Sequence, residues 1–213
     1  MHRIFLLSPA STGGKRASLL FNERATFQLA TQLRTTDGAP LGDVFSFLSG
    51  LYFRGKLAYA RTFARPPRRA EGALIITSSR GLISPDTRVT LEDLRAFAAV
   101  PITADDPRYA APLTTDAERL HAAVGRTDEI VLLGSIASDK YVKVLGEIFG
   151  ARLLFPADFV GRGDMSRGGL MLRCVRENRE LDYIAVEGAT RHGVRPARLE
   201  PVRARRSRPD PAL

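Results

Sequence analysis

The sequence has one cysteine, three histidines and only four lysines in 213 residues. A lone Cys174 cannot close an intrachain disulfide, and no Cys/His grouping has metal-ligand spacing, which excludes a disulfide scaffold and a structural zinc centre. Cys174 lies in an apolar–polar alternating stretch and is expected as a small buried hydrophobe. His2, His121 and His192 fall in a terminus, a helical stretch and a tail, so they offer no triad for a serine nucleophile. Long apolar runs are missing as well. Nothing approaches the roughly 20 residues of a membrane span, and Ile4 to Leu7 is too brief for a signal peptide. These absences point to a chain of the reducing cytoplasm, with no membrane partner, no metal and no cofactor expected.

What is present is arginine: 28 residues of it, and a formal net charge of +9. Such a balance points to nucleic acid, nucleotide or another anionic partner, although an Arg-over-Lys bias also arises from high-GC coding. The last 23 residues carry +5 of that charge, leaving about +4 on the body. An apolar fraction of 44% and this length suit one globular domain with a sizeable core. The domain is expected over residues 1–194, followed by a basic Arg/Pro-rich tail, 195–213, expected to be disordered.

Short buried strands are predicted at Arg3 to Leu7, Ala73 to Thr77, Ile130 to Leu133 and Ala151 to Phe155. Between them, helices are predicted from Ala17 or Glu23 to Leu33, from Leu41 to Phe63 as one long element, and from Thr90 to Phe97 behind a Thr90 cap. Val100 to Pro112 reads as loop, Thr114 or Thr115 opens a helix towards Val124, and Asp139 to Phe149 forms another. Leu170 to Val175 and Leu181 to Val186 alternate like a terminal hairpin or extended edge. The order implies an α/β domain of three layers, αβα, around a mostly parallel four-stranded sheet. In such sheets ligands bind beyond the C-terminal strand ends. The polar loops after all four strands (8–16, 78–82, 134–141 and 156–169) fall there.

The loop from Pro156 to Gly169 is the richest, with two acids, two arginines, a serine and four glycines. Arg162, Ser166 and Arg167 suit phosphate, and Asp158 or Asp164 suits acid–base chemistry; the bland alternatives are turn or cap acids and ion pairs with those arginines. Gly13-Gly14-Lys15-Arg16 can meet phosphate or be a solvated turn; it lacks P-loop spacing. Tyr52-Phe53-Arg54-Gly55-Lys56 sets aromatics beside cations, which suits an extruded base and its flanking phosphates. Tyr52 also fits an apolar helical stripe, so core packing competes. Ser78 and Arg80 are candidates for a base edge or phosphate, or for a plain turn at Gly81. Ser11 and Ser135 complete the candidate substrate contacts.

The order of these pieces resembles the uracil-DNA glycosylase superfamily. The resemblance rests on Ile130-Val131-Leu132-Leu133-Gly134, a hydrophobic strand running into glycine and a helix, and on Phe155-Pro156-Ala157-Asp158-Phe159-Val160-Gly161-Arg162-Gly163, which looks like a divergent DNA-gripping loop. It covers residues 3–170 in architecture. Ser8 to Gly14 contains no acid where the family carries its aspartate, and Phe155 stands at the family's histidine, which suits a remote member with a relocated acid. Ser11/Lys15, Leu51-Tyr52 and Ser79-Arg80-Gly81-Leu82 also look like small bacterial domains that accompany base-modification systems. The resemblance implies a DNA glycosylase acting on a modified base, glucosylated hydroxymethylcytosine of phage DNA among them, in antiviral defence. Two other functions remain open: a nucleotide- or nucleoside-processing transferase or hydrolase, and a non-catalytic nucleic-acid binding module.

Overall fold

Every residue of β1 (Arg3–Leu7) is buried, the pattern of a strand covered on both faces. In the computed structural model, which describes residues 1–68, 70–197 and 199, this strand lies inside the sheet. It pairs in parallel with β3 (Ala73–Ile76), Phe5 opposite Ala73, and with β6 (Glu129–Leu133), Phe5 opposite Val131. The strand β7 (Leu153–Pro156) adds in parallel to β6. These are the four strands the hydrophobic runs announce, and they are contiguous. The sheet is nevertheless six-stranded: β4 (Leu82–Ile83) and β8 (Tyr183–Ala185) pair antiparallel on the two edges, giving the order β4-β3-β1-β6-β7-β8. With two and three residues, the edge strands are too short to show alternation in sequence. A separate ribbon pairs β2 (Ala39–Pro40) with β5 (Arg88–Val89).

Among the described residues, eight α-helices accompany the sheet. The long helix expected from Leu41 to Phe63 is two, α3 (Leu41–Ser49) and α4 (Leu51–Phe63), broken at Gly50, whose φ of 60° departs from helical geometry. The helix expected up to Leu33 is likewise two, α1 (Lys15–Phe21) and α2 (Gln28–Leu33). Thr90 caps α5 (Leu91–Ala99) through a capping box with Asp93. The expected loop before Pro112 is instead the first part of α6 (Pro107–Ala123). Asp106 accepts from the Arg108 amide, and Pro107 sits at the first helical position, where its missing N–H costs nothing. Pro112 forfeits one internal bond, yet the helix runs on for eleven residues with Tyr109, Leu113 and Ala117 in the core. The helix α7 (Asp139–Phe149) has the expected bounds.

The largest correction concerns α8 (Asp164–Glu177). Asp164 opens this helix, so the expected 156–169 loop is only a short 3-10 turn, Ala157–Phe159, and a link. Leu170 to Val175 is helical as well, with Leu170, Met171 and Cys174 buried at helical spacing. Cys174 is a buried free thiol, as a small hydrophobe in a core should be. The glycines around α8 serve packing: a Cβ on Gly168 would lie 2.7 Å from the Leu51 carbonyl oxygen, and one on Gly55 2.7 Å from that of Gly168. Helices α4 and α8 thus cross backbone on backbone. Gly168→Ala should cost about 1–3 kcal/mol by overpacking this crossing, visible as a lower urea midpoint with unchanged slope. The expected tail begins at residue 195, and its residues 198 and 200–213 lie outside the described residues, as does Arg69.

Candidate active site

The C-terminal ends of the parallel strands open into one cleft of about 770 Å³, within the size range of small-molecule and cofactor sites. Ser8 after β1, Ser78 after β3 and Ser135 after β6 all line it. Of the described residues after β7, Asp164 alone lines it. Lys15 and Arg16 from α1 and Lys140 and Tyr141 from α7 border the cleft, while Phe45, Leu48, Phe97 and Ile102 give it an apolar side. The expected convergence of strand-end loops therefore coincides with this cleft.

Several of these groups are already held by protein partners. Ser78 Oγ donates to the Phe97 carbonyl at 2.7 Å, and Arg16 Nη1 to the Phe47 carbonyl at 3.0 Å, satisfying the end of α3. Ser11 Oγ and Ser135 Oγ accept from the amides of Gly13 and Ala137 at 3.4 and 3.3 Å, which leaves their hydroxyl hydrogens for a ligand. The Tyr52 hydroxyl is buried and has no hydrogen-bond partner among the described residues. Burial pushes both Tyr52 and Tyr141 up to about 12, so both remain neutral phenols at pH 7. Asp164 is the one acid among the described cleft-lining residues. Its carboxylate is largely exposed and stands 3.7 Å from the Arg167 guanidinium. Arg167 is itself fixed by two hydrogen bonds to the Phe159 carbonyl, at 3.2 and 2.9 Å, and by its position over the Phe159 ring.

Beneath the cleft lies a lysine. Lys56 is 1% exposed, and its ammonium donates to the Ser8 carbonyl at 2.5 Å and contacts Ser8 Oγ at 2.9 Å. The rings of Tyr52 and Phe53 face it at 4.4 and 4.9 Å. Burial lowers its pKa to about 7, against the opposing pull of Asp164. Expected as a phosphate contact, Lys56 is instead an internal group, because its side chain follows the buried stripe of α4 rather than its exposed face.

Of the other expected residues, Ser11, Tyr52, Ser78, Ser135, Lys15, Arg16 and Asp164 line the cleft. Gly14 does so in place of Gly13. Phe53 is fully buried against Phe45, edge to face at 5.4 Å, and is core rather than a stacking platform. Arg54 is exposed on α4 and does not border the cleft, and Arg80 pairs with Asp93 at 3.2 Å. Asp158 is exposed on the 3-10 turn and lies outside the cleft lining. Arg162 and Ser166, in contact at 3.4 Å, border a second groove together with Arg195. The helix α8 separates these residues from Asp164, because successive positions on its first turn point to different sides.

Sequence reasoning missed Phe45, Phe97, Tyr141 and the Ser8–Lys56 contact. A usable signal existed for the last: Tyr52, Lys56, Tyr59, Ala60 and Phe63 form one buried helical stripe, and a lysine on such a stripe is rarely a surface cation. Among the described residues no three His, Cys, Asp or Glu side chains gather in a way that would hold a metal ion, and no helix is long and apolar enough to cross a membrane. No family model, curated protein or solved structure matches this chain.

Proposed function

We propose that the cleft receives one extruded nucleotide of DNA and hydrolyses its N-glycosidic bond, releasing a modified base and leaving an abasic site, in the cytoplasm and in antiviral defence. The observation that supports this reading is the composition of the cleft: a single described carboxylate, Asp164, set among serine hydroxyls, neutral tyrosines and apolar rings, with Lys15 and Lys140 at its border. A base inside a duplex is out of reach, so the nucleotide must leave the stack, and apolar and aromatic walls suit the face of the extruded base. Cleavage of the bond from C1′ to the base nitrogen sends its electron pair to the base and builds oxocarbenium character on the sugar. Asp164 offsets that charge and takes the proton of the attacking water. Ser11 and Ser135 donate to polar substituents of the base, a role that Ser78 shares less because it is bonded to Phe97. Lys15, Lys140 and the Arg-rich surface attract the phosphates.

The test is a base-release assay on phage DNA bearing glucosylated hydroxymethylcytosine, beside uracil-containing and unmodified DNA, with abasic sites detected by alkaline cleavage. Strand breaks confined to the modified DNA are the expected result. Intact DNA in every lane despite binding would leave a nucleic-acid binding module, and intact DNA without binding would move the reaction to free nucleotides.

A further inference from the structure

A fully buried lysine without a carboxylate partner needs explaining, because desolvating an ammonium is costly unless it is paired or deprotonated. Lys56 makes no salt bridge among the described residues. Around its Nζ stand the Ser8 carbonyl at 2.5 Å, Ser8 Oγ at 2.9 Å and the rings of Tyr52 and Phe53 at 4.4 and 4.9 Å. Ser8 Oγ in turn lies 3.3 Å from the Leu133 carbonyl, and Ser8 lines the cleft. These contacts satisfy two protonation states. With Lys56 charged, Nζ donates to both Ser8 oxygens and the serine hydroxyl donates to Leu133. With Lys56 neutral, Nζ keeps its bond to the Ser8 carbonyl, and the serine hydroxyl turns to donate to the nitrogen lone pair. The second state is a serine hydroxyl poised on a neutral amine base. It also needs no histidine, consistent with a chain whose three histidines lie elsewhere.

We infer that Ser8 and Lys56 form a serine–lysine nucleophilic pair, giving the cleft an acyl-transfer capacity towards esters or thioesters, separate from chemistry at Asp164. Ser8 Oγ bonds to the carbonyl carbon of the substrate, the π pair moves to the carbonyl oxygen, and the hydroxyl proton passes to Lys56 Nζ. Collapse of the adduct breaks the bond to the leaving alcohol or thiol, which departs with that proton. Water then attacks the acyl-serine, gives its proton to Lys56, and the proton returns to Ser8 as the carboxylic acid leaves. The carbonyl anchor explains how the amine is held: it fixes Nζ to the same residue whose hydroxyl it serves, so base and nucleophile move as one unit. The substrate class follows from the border of the cleft, where Lys15 and Lys140 favour an acyl group carried on an anionic moiety.

The charged groups facing Lys56 are Asp164 and Arg167 of α8, whose effects oppose each other; the tyrosine beside it on α4, Tyr52, stays neutral, and Ser8, just after β1, is uncharged. Burial therefore decides its state, and a pKa of about 7 leaves a large neutral fraction at neutral pH.

The experiment is labelling with an alkyl fluorophosphonate, read by intact mass and by mapping of the modified peptide. The wild-type chain should gain one phosphonyl group on Ser8, at a rate that rises with pH and levels off above about 8. Ser8→Ala and Lys56→Met should each lose at least 100-fold in labelling rate while keeping the wild-type circular dichroism. No label on the wild type, a label elsewhere, or a Lys56→Met chain that labels Ser8 at the wild-type rate would overturn the pair. A labelling rate that climbs with hydroxide without a plateau would overturn it too, since Lys56 would then not be the base. Labelling requires neither DNA nor Asp164, so this outcome and that of the base-release assay are independent.

Discussion

Raising the pH from about 7 to about 10 should make the wild-type protein more stable, by roughly 1.4 kcal/mol per pH unit over the middle of that window. The cause is Lys56. In the unfolded chain its amine holds a proton up to the ordinary value of 10.5, whereas burial lowers the folded value to about 7. Between these limits the unfolded state binds more protons than the folded one, so stability climbs with pH. Below about pH 7 both states carry the proton and the group adds no slope, but the folded state then bears the full cost of a buried ammonium. The total swing between the two limits is on the order of 5 kcal/mol.

Lys56→Met isolates this effect. Methionine has similar length and no charge, so the variant should lose the positive slope and be the more stable protein at pH 6. At pH 9.5 the order should reverse or vanish, because the variant leaves the Ser8 carbonyl without its donor, a loss of about 1–3 kcal/mol. Above about pH 10 the buried tyrosines take over with the opposite sign. Tyr52, Tyr59 and Tyr141 are each pushed up to about 12 by burial, so the unfolded chain releases their protons first and stability falls. Urea denaturation of both proteins from pH 6 to 10.5 reads all three regimes. Parallel curves for wild type and variant would show that Lys56 keeps its ordinary pKa in the folded protein.

The parallel sheet was legible because Ile4 to Leu7, Ala73 to Ile76 and Ile130 to Leu133 are apolar runs bounded by serine, proline or glycine. Strands buried on both faces leave that signature. The helix α8 was not legible, since Gly168-Gly169 and the arginines around it have a loop's composition. Its helicity is stabilised by the crossing with α4, where Gly55 and Gly168 admit backbone contact, and that is a tertiary fact. Pro107 and Pro112 suggested a loop because a proline's meaning depends on its position in the turn: Pro107 starts α6, and Pro112 is tolerated by a helix anchored on Tyr109 and Leu113. Lys56 illustrates the same limit on the site. Its neighbours in sequence, Arg54 and Tyr52, suggested a basic aromatic face, but the rotation of α4 puts Arg54 in solvent and Lys56 under Ser8.

Replacing Asp164 by Asn should reduce base release by about 10²–10⁴-fold, the usual contribution of a positioned acid or base, while Asp158→Asn should stay within about twofold of wild type. The two acids are six residues apart and chemically alike, so the contrast tests geometry alone. Asp164 is the first residue of α8 and borders the cleft, with the Arg167 guanidinium 3.7 Å away. Asparagine preserves the size and one acceptor oxygen but can neither take a proton from water nor offset an oxocarbenium charge. Asp158 sits on the 3-10 turn, exposed and outside the lining, so its neutralisation touches neither step. Because Asp164 is largely exposed and its partner Arg167 keeps its bonds to Phe159, the change should lower stability by less than about 1 kcal/mol, and lost activity cannot be ascribed to unfolding. DNA binding by the Asn variant should be equal to or tighter than that of wild type, since a negative charge is removed from a site that meets phosphates. If Asp164→Asn released base at the wild-type rate while Asp158→Asn did not, the reacting sugar would have to lie outside this cleft, beside the 3-10 turn that carries Asp158.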